Sequence, residues 1–174
     1  MSKRIITFGT WDGKPIEWIV LKEEFFGTLV ISRLTLFSLE LSWNGQTGTW
    51  KDSSLRKYLN GDFYNKAFTS DEKKKILNIF LEDPEGTKDD IFLLSYEEAN
   101  TLMTQSERRF GNGNCSFPCK NCYKNINRKG TCWYLRTPYN SSNLREVNSQ
   151  GTIDNNYNHD GGLSIRPAMW IREK

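Results

Sequence analysis

Histidine is nearly missing: among 174 residues only His159 is one. Any Ser-His-Asp or Cys-His mechanism would have to run through that side chain. It sits in the polar stretch Asn158-His159-Asp160-Gly161-Gly162, a poor setting for a firmly held base, so hydrolysis is disfavoured. No stretch approaches the roughly 18 apolar residues that a membrane-spanning helix needs. The start, Met1-Ser2-Lys3-Arg4-Ile5-Ile6, soon meets Gly9, Asp12 and Lys14, so no signal-peptide core is expected. These absences predict a cytoplasmic or virion-associated chain with no membrane partner, its compartment otherwise unknown. Charge of one sign is scarce as well. A net charge of +3 is too little to argue for nucleic acid, which is not the expected partner. Residues 1–109 carry 15 basic and 17 acidic side chains and residues 110–174 carry 9 and 4, so the mild basicity lies in the tail, scattered among Asn, Ser and Gly.

Aromatics are plentiful. With 6 Trp and 10 Phe the chain is not of the disordered class, and at 174 residues it is expected to be a single domain, 1–174, with one core. Ile16–Leu21 and Thr28–Ser32 are rich in β-branched residues and read as a hairpin across Glu23–Gly27, while Trp43–Gly48 reads as a turn-rich connection. Asp52 or Ser53 can cap a helix whose face carries Leu55, Tyr58 and Leu59, with Asn60-Gly61 as a stop; Thr69-Ser70-Asp71-Glu72 is a second N-terminal signal. Ile91–Leu94 reads as a buried strand. Ser95, with Glu98 three residues on, opens a helix through a capping box. Short strands are expected at 132–136, 144–147 and 163–171. The order of strands, helices and short strands with long polar connections predicts an α+β domain, an antiparallel sheet and a loop-rich second half.

All four cysteines fall in one stretch, an insert at 110–132: Cys115-x3-Cys119-x2-Cys122-x9-Cys132. The x2 spacing is that of a zinc knuckle, and Lys120, Lys124, Arg128 and Lys129 would offset a four-thiolate site. Three readings stand side by side: a structural zinc on Cys115, Cys119, Cys122 and Cys132, two local disulfides, or ordinary thiols with Cys132 facing the core beside Trp133. A zinc closed by four cysteines would leave no position for substrate.

Several blocks recur in an order with a precedent: Ile6-Thr7-Phe8-Gly9, Pro15-Ile16-Glu17-Trp18-Ile19-Val20-Leu21, Ser54-Leu55-Arg56-Lys57-Tyr58-Leu59-Asn60, Phe63-Tyr64-Asn65-Lys66-Ala67-Phe68, Phe92-Leu93-Leu94-Ser95-Tyr96-Glu97-Glu98, Trp133-Tyr134-Leu135-Arg136-Thr137-Pro138 and Ser164-Ile165-Arg166-Pro167-Ala168-Met169-Trp170-Ile171. Together they resemble a bacterial and phage domain family of unknown function; the Cys-rich insert departs from its pattern. The closing Arg-Pro-Ala-x-Trp strand is also similar to that of C-type-lectin-like domains, among them the variable proteins of diversity-generating retroelements and the formylglycine-generating enzyme fold. That resemblance implies paired terminal strands, two or more helices packed beside them and a surface of irregular loops. Arg136 and Arg166 stand at landmark positions and are expected to be partly buried against carbonyls or acids, with Glu97 or Glu98 as a partner. The calcium motifs of lectins, Glu-Pro-Asn or Gln-Pro-Asp with Trp-Asn-Asp, are missing, so no calcium is expected.

Between Asp154 and Asp160 only Asn, Asp, Tyr and His occur, four residues whose codons differ at the first base before an adenine. Randomised adenines in Asn codons give this palette, which is the implied signature of a retroelement variable region. Tyr with Ser, Gly and Asn is also the mix that antibody loops favour. The segment 139–160 is therefore expected to bind a protein or glycan target on a cell or phage surface. Its contact candidates are Tyr139, Asn140, Ser142, Asn143, Arg145, Asn148, Asp154, Asn155, Asn156, Tyr157, Asn158, His159 and Asp160. Trp133, Leu135, Val147, Ile153, Ile165 and Trp170 would face inward. The bland alternative is a solvated Asn/Gly-rich hairpin. Two other functional readings are a redox enzyme of the formylglycine-generating type working through an accessible low-pKa thiol, and a nucleic-acid contact by the Cys-rich stretch. Oligomer formation is left open.

Overall fold

Asp12-Gly13 is the dipeptide that a tight hairpin asks for, and the chain uses it as one: both residues hold positive φ, 51° and 71°. The computed structural model describes residues 3–38, 49–109, 132–140, 144–155 and 164–173. In it β1 (Ile5–Trp11) pairs with β2 (Lys14–Glu24) across that turn, and β2 pairs with β3 (Gly27–Ser32). The second turn is tighter than the sequence reading gave. The ladder runs to Glu24↔Gly27, leaving only Phe25-Phe26 as the loop, and Phe26 stacks on Trp170 at 4.8 Å between centroids.

Two five-stranded sheets carry the fold. The first has the order β1-β2-β3-β12-β5, where β12 is Ala168–Ile171 and β5 is Ile76–Leu77. The second has the order β10-β9-β8-β11-β4, with β4 Phe37–Ser38, β8 Trp133–Pro138, β9 Leu144–Val147, β10 Ile153–Asn155 and β11 Ser164–Ile165. Pairing is antiparallel throughout both, apart from the parallel contact of Ser164 with Trp133. A separate hairpin joins β6 (Ile79–Leu81) to β7 (Thr87–Asp89). The helices are short: α1 (Ser54–Tyr58), α2 (Tyr64–Ala67), α3 (Ser70–Lys73), α4 (Tyr96–Leu102) and α5 (Gln105–Arg109). The α+β expectation therefore holds, with strands dominating.

Four expectations need correction. Asn60-Gly61 does not stop the first helix; a wide π turn, Leu59–Phe63, carries it into α2 because Leu59 and Phe63 are both buried. Ile91–Leu94 is buried but is not a strand. Only Phe92 pairs, by exchanging bonds with Ala168 at 2.9 and 2.7 Å, while side chains of Asn60 and Arg136 satisfy the flanking backbone. The stretch 163–171 is not one strand. Arg166-Pro167 breaks it, and Pro167, which has no N–H to donate, marks the point where the chain leaves the second sheet for the first. Finally the first and last strands share a sheet without touching, since β3 occupies the place beside β12 and β2 the place beside β1.

One apolar cluster spans both sheets and the helices. Trp18, Trp50 and Trp133 are wholly buried, and each indole N–H finds an acceptor: the Phe8 carbonyl at 2.6 Å, the Asp89 carboxylate at 3.0 Å and the Arg108 carbonyl at 3.1 Å. A buried indole left without such a partner would forfeit much of its packing gain. Trp133, Leu135, Val147, Ile165 and Trp170 are buried as the sequence pattern predicts, and Ile153 packs partly buried against the same cluster.

Candidate functional site

The polar landmarks of the sequence are spent inside the scaffold. Arg56 donates from Nε to the buried Asp89 carboxylate at 2.6 Å and from its Nη atoms to the carbonyls of Lys51 and Lys88 at 2.9 and 3.2 Å. Asp89 also accepts from Thr87 at 2.7 Å and from Trp50, so its charge is fully met. Asn60 works as a detached strand segment. Its amide donates to the carbonyls of Ile91 at 2.8 Å and Arg56 at 3.0 Å, while its oxygen accepts from the backbone of Asp90 and Ile91 at 2.8 and 3.0 Å. The Leu-Arg-x-x-Leu-Asn helix is thus clipped to β7 and to the chain that follows it.

Arg136 and Arg166 act in the same way on the other side of the core. Arg136 is buried and donates to the Glu98 carboxylate at 2.6 Å and to the carbonyls of Leu93 at 2.7 Å and Asp83 at 2.9 Å. Glu98 is shared: it also accepts from the Ser95 amide at 2.7 Å, closing the capping box of α4. Arg166 is wholly buried over the Trp133 ring at 5.1 Å and donates to the carbonyls of Ser32, Arg33, Glu107 and Arg108 at 2.9 to 3.5 Å. Burial pushes its pKa down to about 9, with the Glu107 charge acting the other way, so it remains a cation at neutral pH. None of these side chains is left over for chemistry.

The surface left by this bookkeeping lies on β8, β9 and β10. Tyr139, just past the end of β8, is 46% exposed, and Asn140 and Asp154 are exposed as well. Arg145 on β9 is half-buried, with its guanidinium 4.3 Å from the ring centroid of Tyr96 and 5.3 Å from that of Tyr139. Asn148 is different from its expected role: its side-chain oxygen accepts from the backbone of Gln150 and Thr152 at 2.9 and 3.1 Å, so it builds the β9–β10 turn. That turn is pressed on α5 through Gly151, whose carbonyl accepts from Arg108 at 2.8 Å. Gly151 holds φ +81°, and a Cβ there would come within 2.1 Å of the Gln105 carbonyl, so only glycine fits.

Asn155 closes β10, and nothing is described of its side chain. Ser142, Asn143, Asn156, Tyr157, Asn158, His159, Asp160, Cys115, Cys119 and Cys122 lie outside the described residues, as does the Trp43–Gly48 connection. Cys132 is buried at the start of β8. An accessible thiol for redox chemistry would therefore have to be one of the other three.

Four of the described chain ends that flank these segments meet. Ser38 pairs with Ser164, whose amide donates to the Cys132 carbonyl at 3.1 Å, and the Trp133 indole beside it reaches Arg108 near the end of α5. Ser38, Cys132 and Ser164, each next to one of the segments 39–48, 110–131 and 156–163, therefore lie at one margin of the second sheet. The Tyr139–Arg145–Asn155 end is the opposite one, because Pro138 pairs with Leu144 and Asn155 with Arg145. The sequence offered no sign of the Tyr96 contact with Arg145, which joins a helix to a distant strand. Among the described residues no group of three or more His, Cys, Asp or Glu side chains is placed to hold a metal, and no helix is long and apolar enough to cross a membrane.

A mixed α+β scaffold, whose polar landmarks are internal clips, defines the class of protein. The particular family follows from its sequence: the model of the Domain of unknown function (DUF6273) matches residues 18–173, and the chain belongs to that family. No curated protein and no solved structure matches the chain.

Proposed function

We propose that the chain is a non-enzymatic recognition module, a C-type-lectin-like scaffold displaying residues 139–160 to a protein or glycan target in the manner of retroelement variable proteins. One observation carries the reading. Arg56, Asn60, Glu98, Arg136 and Arg166 are all consumed by backbone and core partners, whereas Tyr139, just past the end of β8, stands exposed with its ring beside Arg145 of β9. Side chains on such a sheet can change while its backbone ladder stays, because the ladder does not depend on them. The Asn, Asp, Tyr and His palette of 154–160 supports diversification.

A structural zinc on Cys115, Cys119, Cys122 and Cys132 belongs to the same proposal. Its support is that the bond from Trp133 to the Arg108 carbonyl, 3.1 Å, draws the two ends of the Cys-rich stretch together. Metal analysis of protein purified without chelator should return one zinc per chain; metal-free protein would remove the site.

The test of the main reading is resequencing of the gene across a population of its host cells. Differences should concentrate in residues 139–160, at Asn-type codons, with the landmarks unchanged. Differences spread evenly along the chain would defeat it.

A further inference from the structure

A guanidinium carries five N–H donors and no acceptor. In this fold the partly or fully buried arginines spend them: Arg56, Arg108, Arg136 and Arg166 each donate to two or more carbonyl or carboxylate oxygens. Arg145 is the exception among the described residues. Its Nε is shut off from solvent and has no hydrogen-bond partner, and the guanidinium meets only the rings of Tyr96 and Tyr139. Ring contacts stabilise the face of the cation but use none of its in-plane donors. The two tyrosines therefore hold a fork in place whose edge is unspent. Such a group is costly to keep in a half-buried place without a purpose, because unpaired donors lose hydration and gain nothing.

We propose that Arg145 is the anchor of the displayed surface and that it binds a carboxylate of the ligand. A carboxylate is planar and takes two parallel N–H···O bonds from one guanidinium, which is what an oriented fork with a free edge offers. Tyr139 is exposed beside it and supplies an apolar wall for the body that carries the carboxylate. The inference rests on the binding reading above and narrows it: whatever varies around it, the target presents an acidic group to Arg145. The carboxylate could be carried by an acidic sugar or by an acidic peptide, and the two sources share this chemistry.

The experiment is a titration followed by the Nε–Hε resonance of Arg145, identified as the signal missing from Arg145→Lys. Benzoate is the probe, with benzamide as its neutral counterpart and phenyl phosphate as its tetrahedral one; glucuronate and N-acetylglutamate amide then separate the two sources. Benzoate should shift the resonance saturably in the millimolar range, as a single anchored ion pair would, and benzamide should not. Arg145→Lys keeps the charge and loses the fork, so affinity should fall at least about fivefold, and Arg145→Gln should show no binding. Melting curves of both variants close to the parent keep this interpretable; should Arg145→Gln not fold, Arg145→Lys decides. No shift with benzoate up to about 20 mM, an equal shift with benzamide, or binding of phenyl phosphate alone would overturn the proposal. Failure here with variation still concentrated in 139–160 removes the carboxylate and keeps the display reading. Success here with evenly spread variation does the reverse.

Discussion

At the scale of single residues the distinction is between side chains that close the fold and side chains that are free to change. Arg136 ties the Glu98 carboxylate and two carbonyls from separate segments into one buried knot. Arg136→Ala leaves an unpaired carboxylate and two orphaned carbonyls, and is expected to cost about 3–5 kcal/mol in urea unfolding. Two other carboxyls make the fold pH-sensitive. Burial pushes the Glu72 and Glu107 carboxyls up, but backbone donors from Thr69 and Gly9, and the Lys3 ammonium with Thr104, outweigh it, so both titrate below the ordinary carboxylate value. A carboxyl depressed in the folded state stabilises above its unfolded pKa, near 4.3, and that contribution is lost as pH falls through the folded value. Stability should decline below about pH 4.5. The gap between the parent and Glu107→Gln should be constant from about pH 6 to 8 and shrink on acidification. A gap that widens in acid would reverse the assigned sign.

At the scale of elements, what the sequence reveals depends on how local the physics is. The caps at Ser53, Thr69 and Ser95 were legible because each bonds a backbone amide three residues away. Strands β2 and β3 were legible from their β-branched runs. Asn60 was misread as a stop because its amide satisfies Ile91, a partner 31 residues on, which no local pattern announces. Ile91–Leu94 looked like a strand because it is buried like one, yet its flanking hydrogen bonds come from the side chains of Asn60 and Arg136. Strand β1 was missed although Asp12-Gly13 signalled a hairpin. Of the candidate site, the exposure of Tyr139 was legible from composition, whereas the meeting of Arg145 with Tyr96 was not. Two element-scale expectations follow from these contacts. Asn60→Ala should cost about 2–3 kcal/mol by releasing the helix from the chain at Ile91. Gly151→Ala should cost at least about 2 kcal/mol, since positive φ and a backbone clash coincide there; denaturant titration measures both.

At the scale of the whole molecule the chain divides its labour between two sheets. The first, with its long hairpins and the closing β12, meets α2 through β1, while α4 packs on β8 of the second. The second carries the polar segments near the carboxyl end, and Ser38, Cys132 and Ser164 meet at one of its margins. A scaffold closed by internal clips should tolerate replacement of its displayed side chains. The direct measurement is the melting temperature of a variant in which Tyr139, Asn143, Asn155, Tyr157 and His159 are all changed to Ser. A shift within about 3 °C, the equivalent of roughly 1 kcal/mol at this size, is predicted. A fall of more than about 10 °C would mean that these side chains help hold the fold together, and would contradict the division into fixed frame and replaceable face.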